Sequence, residues 1–288
     1  MGHQQGNLRL FLHFAAAILI LTGCAPQIQK AVRVCPGAES ALDSLSLLRL
    51  RSQNTVPLKA NGQCLLLYYD EDKKHKKENF PVKLWVNPPV EIYLQGDVAF
   101  DAKGIVLGSN KDEFWLAMKP KEISTYMWGQ WSEESCPEKL MVNPKTLLEA
   151  LGVAEVGTEE NWFLSNENAF DVLTGRNDKG GIIKKIYIAD CDYLVGRIEY
   201  FDANGKTVVT MELDNYKEIS KDFFVPRVIK IISRNNDGTE QIFRINLRSI
   251  KPANFSEKQK NRLFLRPEPQ GVKHIYKIVN GDMIEQQQ

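Results

Sequence analysis

Histidine is scarce in this sequence, cysteine is sparse, and neither sign of charge prevails. Only four of the 288 residues are histidines, and two of them, His3 and His13, sit close to the amino terminus. That leaves His75 and His274 for a mature domain, so histidine-based acid–base catalysis has few candidates. The five cysteines contain no C-x-x-C pair, which argues against a zinc or dithiol redox centre. There is no G-x-S-x-G, no H-E-x-x-H and no glycine-rich phosphate loop between a strand and a helix. The acidic pairs Glu133-Glu134 and Glu159-Glu160 are adjacent in sequence, so their side chains point in different directions and read as solvated. These absences argue against an enzyme, and no cofactor and no metal are expected. Lysine plus arginine number 37 against 36 acids, a net charge of +1, so no basic field gathers nucleic acid. No Pro/Gly/Ser-rich linker divides the chain, and 43% apolar with 25% charged residues is ordinary for one large globular domain.

What is present begins with an apolar stretch from Leu8 to Leu21, interrupted by His13. A transmembrane helix needs about 20 apolar residues, so residues 1–23 read as a secretory signal peptide. The stretch ends on Leu21-Thr22-Gly23-Cys24, which resembles the lipobox of bacterial lipoproteins. There the peptide is cut before the cysteine, whose thiol carries a diacylglycerol. The resemblance implies that Cys24 is lipidated, that the chain beyond it folds outside the cytoplasm, and that the mature protein is held to a membrane. Ala25, in place of aspartate, resembles an outer-membrane address with the domain facing the periplasm. Residues 24–37, with Pro26, Pro36 and Gly37 and no periodicity, read as a tether.

From residue 38 the pattern alternates between helix and sheet. Leu42, Leu45, Leu48 and Leu50 predict a one-sided helix. Period-two alternation then predicts a strand pair turning at Asn61-Gly62, with Cys64 to Tyr69 as its second arm. The polar run Asp70 to Asn79, including His75, reads as a hydrated loop. Short strands over Val82–Val86, Val90–Leu94, Val98–Phe100, Gly104–Leu107 and Phe114–Met118 continue an antiparallel meander. Asn143 as a cap, Pro144 at the first helical position, Leu147, Leu148 and Leu151 on one face and Gly152 as the stop predict a second helix. Strands resume over Trp162–Leu164, Ala169–Leu173, Ile182–Ala189, Tyr193–Phe201, Thr207–Leu213, Phe223–Ser233, Thr239–Ile250 and Val272–Val279. A helical turn is expected over Ser256–Arg262, and residues 281–288 read as a disordered tail. The expected fold is mainly β (α+β): a domain over residues 38–280 with one curved antiparallel sheet of roughly ten strands covered by two helices.

The run from Val82-Lys83-Leu84-Trp85-Val86-Asn87-Pro88-Pro89 through Tyr93-Leu94, then Phe114-Trp115-Leu116 and Trp128-Gly129, resembles the LolA/LolB-like family of lipoprotein-sorting proteins. So does Lys251-Pro252 followed by Phe255. The resemblance implies an incomplete antiparallel barrel closed by helices over an apolar cavity for acyl chains. The amino-terminal lipid makes the chain similar to the anchored LolB type. Implied partners are a membrane, a lipid or lipoprotein acyl chain, and a periplasmic carrier or envelope protein. Alternation selects the residues that share the helix-covered face: Leu84, Val86, Ile92, Leu94, Phe114, Leu116, Val209, Met211, Leu213, Phe243, Ile245 and Leu247. Two readings fit that face, an acyl cavity or a filled core under an anchored sensor or scaffold. Trp85, Trp115, Trp128 and Trp131 fit either a pocket rim or packing anchors.

Beyond Cys24 four cysteines remain, Cys35, Cys64, Cys136 and Cys191, and an even number outside the cytoplasm suggests two disulfides. A Cys35–Cys64 bridge would fasten the first helix to the sheet, leaving Cys136 to pair with Cys191.

Overall fold

The computed structural model describes residues 35–69, 73–98, 101–119, 124–131, 142–154, 161–235 and 237–286. The signal peptide, Cys24 and most of the tether therefore lie outside the described residues. So do Cys136, Glu133-Glu134, Glu159-Glu160, and Ala99-Phe100 at the end of one expected strand.

Three helices and fifteen strands are described. Helix α1 (Ala41–Gln53) is capped by Ser40, whose hydroxyl accepts from the Asp43 N–H at 3.2 Å. Asp43 in the first turn and Arg51 in the last suit the two ends of the helix dipole. Helix α2 (Pro144–Ala150) starts on Asn143, which accepts from the Lys145 N–H at 2.9 Å. It ends where the Gly152 and Val153 N–H groups return to the Glu149 and Leu148 carbonyls. Gly152 has φ +71 there, a left-handed stop that favours glycine. Helix α3 (Glu257–Leu263) opens with a capping box between Ser256 and Gln259.

The strands form one open sheet in two wings. In the first wing, β1 (Leu58–Tyr69), β2 (His75–Asn87), β3 (Glu91–Val98), β4 (Asp101–Ser109), β5 (Glu113–Met118) and β6 (Thr125–Gln130) follow one another as a meander. The chain then passes through α2 to the far edge of the sheet. It returns through β7 (Asn161–Glu167), β8 (Phe170–Arg176), β9 (Ile182–Ala189), β10 (Val195–Phe201), β11 (Thr207–Ser220), β12 (Phe223–Arg234) and β13 (Glu240–Pro252). β13 meets β1 antiparallel, from Leu58 opposite Pro252 to Leu67 opposite Ile242, and that seam joins the wings. After α3, β14 (His274–Val279) docks parallel on β6, and β15 (Asp282–Glu285) pairs with β14 at the edge.

Alternation assigns the two faces of this sheet different work. The inner face carries one continuous cluster that includes Leu58, Leu66, Leu84, Phe114, Met211 and Ile245, together with Leu45 and Leu48 of α1 and Leu147, Leu148 and Leu151 from α2 and its C-terminal end. On the first wing's outer face a smaller cluster of Tyr93, Trp115 and Tyr126 lies under Phe255, Leu263 and Phe264. Trp115 and Tyr126 are among the largest fully buried side chains, and the Tyr126 hydroxyl donates to the Pro267 carbonyl at 2.7 Å. The chain from β13 to β14 thus covers the first wing's outer face, while α1 and α2 pack on the inner face.

Several sequence expectations are corrected. Asn61-Gly62 is not a turn but a bulge within the continuous strand β1. A Cβ at Gly62 would come within 2.2 Å of the Asn246 carbonyl oxygen, so glycine is there to admit the neighbouring backbone. Most of the described part of the polar run around His75 is strand, because β2 begins at His75 and pairs with the full length of β1. The expected disordered tail contains β15, whose Asp282–Glu285 backbone pairs with β14. Among the described residues the sheet has fifteen strands rather than ten, while the helical turn expected over Ser256–Arg262 is present as α3, on the outer face. In α1, Leu45 and Leu48 are buried whereas Leu42 and Leu50 are 66% and 53% exposed, so the helix inserts a narrow edge, not a broad leucine face.

Candidate functional site

The cysteine pairing is the largest correction near the site. Cys35 bonds to Cys191, across 156 residues, and Cys64 is a free, buried thiol on the inner face of β1. A Cys35–Cys64 bridge is excluded because Cys64 faces the core between β13 and β2, where burial pushes its thiol up from the ordinary value. Asp190 lies beside Cys35 and Cys191, but both sulfurs of that cluster are taken up in the disulfide.

The disulfide belongs to a set of ties that fix α1 over the second wing. The Ala38 N–H donates to buried Asp171 of β8 at 2.6 Å, and the Tyr193 hydroxyl reaches the Gly37 carbonyl at 3.5 Å. At the other end of α1, Arg51 donates to the Tyr193 and Asp192 carbonyls in the turn between β9 and β10. Residues 35–37, read from sequence as the last part of a loose tether, are therefore pinned to the sheet.

Under α1 lies a cavity of about 80 Å³, bounded by α1, the end of α2 and strands β9 to β12. Leu48, Ile186, Ile198, Leu213 and Phe223 give it apolar walls, and Arg51, Glu149, Lys184 and Tyr216 give it polar ones. Lys184 and Glu149 pair at 3.1 Å with side chains 10% and 11% exposed, and the Lys184 ammonium stands 5.1 Å from the centre of the Tyr200 ring. The Tyr216 hydroxyl donates to the Val195 carbonyl, and burial raises its phenol from the ordinary value, which keeps it a neutral donor. Burial lowers the Arg51 guanidinium, while Asp192, Tyr216 and Asp222 push it back up. A second space of about 20 Å³ lies between Leu66, Leu94, Ile105, Leu107, Leu116, Met118, Val142 and Phe243.

The residues selected by alternation all join the inner-face cluster. Leu84, Val86, Ile92, Leu94, Phe114, Leu116, Met211, Leu213, Phe243, Ile245 and Leu247 are buried, and Val209 packs half-buried against them. They do not converge on a single cavity. Leu213 borders the larger space and Leu94, Leu116 and Phe243 the smaller one; the others fill the core between β-strands and helices. Of the tryptophans, Trp85 and Trp115 face outward, Trp131 packs on Phe114 with ring centres 4.7 Å apart, and Trp128 lies beneath Arg266 at 4.1 Å. They are packing anchors, away from both spaces.

Sequence reasoning missed the polar members of the larger cavity. Two signals were available. Arg51 follows Leu48 by three residues, on the same side of α1. Lys184 shares its strand parity with Ile186 and Ile188, so a lysine is placed on a face that is otherwise apolar.

An open antiparallel half-barrel with a leucine-rich inner face and helices laid across it is the LolA-like fold. A solved structure described as an outer membrane lipoprotein-sorting protein domain, from Vibrio parahaemolyticus, shows it: the two superimpose with a TM-score of 0.50 at 14% identity, over 76% of this chain and 96% of that one. A LolA superfamily protein from Nitrosomonas europaea gives 0.48 at 12% identity, over 77% and 97% of the two chains. A DUF1329 family protein from Desulfovibrio piger gives 0.49 at 11%, over 75% and 95%. No family model matches the sequence, and no curated protein matches it.

Proposed function

We propose that this chain is a membrane-anchored lipoprotein of the periplasm, held at the outer membrane through Cys24, that binds an acyl chain of a lipid or lipoprotein without chemical conversion. The observation that carries the proposal is the apolar inner face of a LolA-like half-barrel, covered by two helices, with a partly apolar cavity already open beneath α1. Burial of an acyl chain there gains about 25 cal/mol per Å² of apolar surface removed from water. One water takes about 10–15 Å³ of such space, so 80 Å³ holds only a short amphiphile, and binding of a full acyl chain requires α1 or α2 to move away from the sheet and let the ligand replace side-chain contacts.

The near-complete filling of the inner face favours a second reading, an anchored sensor or scaffold of the same fold that recognises an envelope protein. Lipid extraction and native mass spectrometry of protein purified from a bacterial envelope separate the two. Co-purified lipid in stoichiometric amount, with binding of an acyl probe, supports the carrier. Reproducible absence of both leaves the scaffold. A mature amino terminus other than diacylated Cys24 rejects the anchor independently of either.

A further inference from the structure

The larger cavity has a charged end, and that end is built unlike the rest of the inner face. Lys184 and Glu149 neutralise each other across 3.1 Å. Arg51 has no such partner: among the described residues no carboxylate lies within ion-pair distance of it, and it donates only to the Asp192 and Tyr193 carbonyls. Asp192 and Asp222 lie near enough to be felt without pairing with it. A guanidinium has five N–H donors in a planar fork, so donors remain beyond the two that these carbonyls use. Arg51 and Lys184 both line the cavity, along with the apolar side chains of Leu48, Ile198, Leu213 and Phe223. The site therefore pairs one cation without a carboxylate partner among the described residues, and a second held by a single carboxylate, with an apolar wall.

We infer that this cavity recognises the anionic head of a single-chain amphiphile, a carboxylate or a phosphate ester. The head takes the free donors of Arg51 and draws on Lys184, while the first methylenes lie against Leu48, Ile198, Leu213 and Phe223. The inference deepens the acyl-binding reading and rests on it. Its size agrees: one water needs about 10–15 Å³ of such space, so 80 Å³ takes a head group and a few carbons before either helix has to move. A planar guanidinium matches the two oxygens of a carboxylate or phosphate in a way that an ammonium does not. Glu149 is the built-in competitor for Lys184, so its removal should help an anion to bind.

Displacement of a fluorescent, uncharged acyl probe from the purified full-length protein tests this, with decanoate, decyl phosphate and decanol as competitors. Decanoate or decyl phosphate should displace the probe at about one-tenth of the decanol concentration or less, the advantage expected of one charge-assisted contact. Comparing decanoate with decyl phosphate tells which head is preferred. Arg51→Gln should remove most of that advantage, read as the ratio of anion to decanol displacement within the same variant, and Arg51→Lys should restore part of it. Glu149→Gln should strengthen both anions several-fold. A cooperative urea transition of the Arg51→Gln protein shows that it keeps its fold, and the ratio of anion to decanol displacement separates loss of the head contact from a general weakening of the cavity. Equal displacement by all three competitors, or an anion preference unmoved by Arg51→Gln and Glu149→Gln, overturns the inference and leaves acyl binding intact. Failure of the probe and of every competitor to bind overturns the acyl-binding reading itself.

Discussion

Removing the Cys35–Cys191 bond should destabilise the protein about as much as truncating a large buried side chain near it. The bond spans 156 residues, and the chain-entropy cost it removes from the unfolded state grows with the logarithm of the loop, to about 5 kcal/mol for a loop of this length. Measured losses fall below that ceiling, because part of the constraint survives. Here the Ala38–Asp171 and Arg51–Tyr193 hydrogen bonds still hold α1 at both ends. The expected loss for Cys35→Ser/Cys191→Ser is about 3 kcal/mol. With a denaturant dependence of about 3 kcal/mol per molar urea for a domain of this size, the midpoint should fall by about 1 M. The assay is urea unfolding by tryptophan fluorescence, with and without a reductant. Reductant should move the wild-type midpoint to that of the double variant and leave the variant where it is. A wild-type midpoint that does not respond to complete reduction, confirmed by thiol counting, would refute the reasoning: α1 would then be secured by its hydrogen bonds and leucines alone.

Other outcomes follow from the packing. Gly62→Ala should cost about 1–3 kcal/mol, near the top of that range because the clash is with the Asn246 backbone; an unchanged melting temperature would mean that the bulge in β1 can slide. Asn143→Ala should cost about 1 kcal/mol by removing the cap of α2, checked by the same urea titration. Cys64 should resist iodoacetamide at pH 8 in the folded protein and react once it is unfolded, since burial alone raises its thiol. Because its folded-state value lies above the unfolded one, Cys64 supports folding below the ordinary thiol value and loses that support as pH rises past it. Thermal melts between pH 8 and 10 should therefore decline more steeply for wild type than for Cys64→Ala.

Local signals survived the passage from sequence to structure best. Helix α2 was legible in full because Asn143, Pro144, Leu147, Leu148, Leu151 and Gly152 each specify their own piece of backbone. The parity of Leu84, Phe114, Met211 and Ile245 was legible too, since a strand assigns faces by alternation alone. What failed was anything that depends on a distant neighbour. Asn61-Gly62 carries the commonest hairpin-turn signal, yet β13 arrives from some 180 residues away and turns that glycine to another use. The bond between Cys35 and Cys191 could not be chosen over its rivals without knowing that the β9–β10 turn sits beside the segment leading into α1. The cavity's polar groups come from α1, α2, β9 and β11, and no spacing along the chain connects them.

The seam between β1 and β13 has a consequence for the order of assembly. From β1 to β6 and from β7 to β13 each strand pairs with the next across a short connection, so each of these runs closes small loops and can zip up by itself. The seam is different: β1 waits for the chain that runs on to Glu240–Pro252. Until that stretch exists, one side of β1 is an open edge carrying Cys64-Leu65-Leu66-Leu67-Tyr68-Tyr69 without a charge among them. Such an edge invites pairing with another copy of itself. Chains cut short before residue 240 should thus aggregate through β1, whereas chains that lose only β14 and β15 keep the seam shut. The last strand of the second wing is what makes the first wing safe to expose.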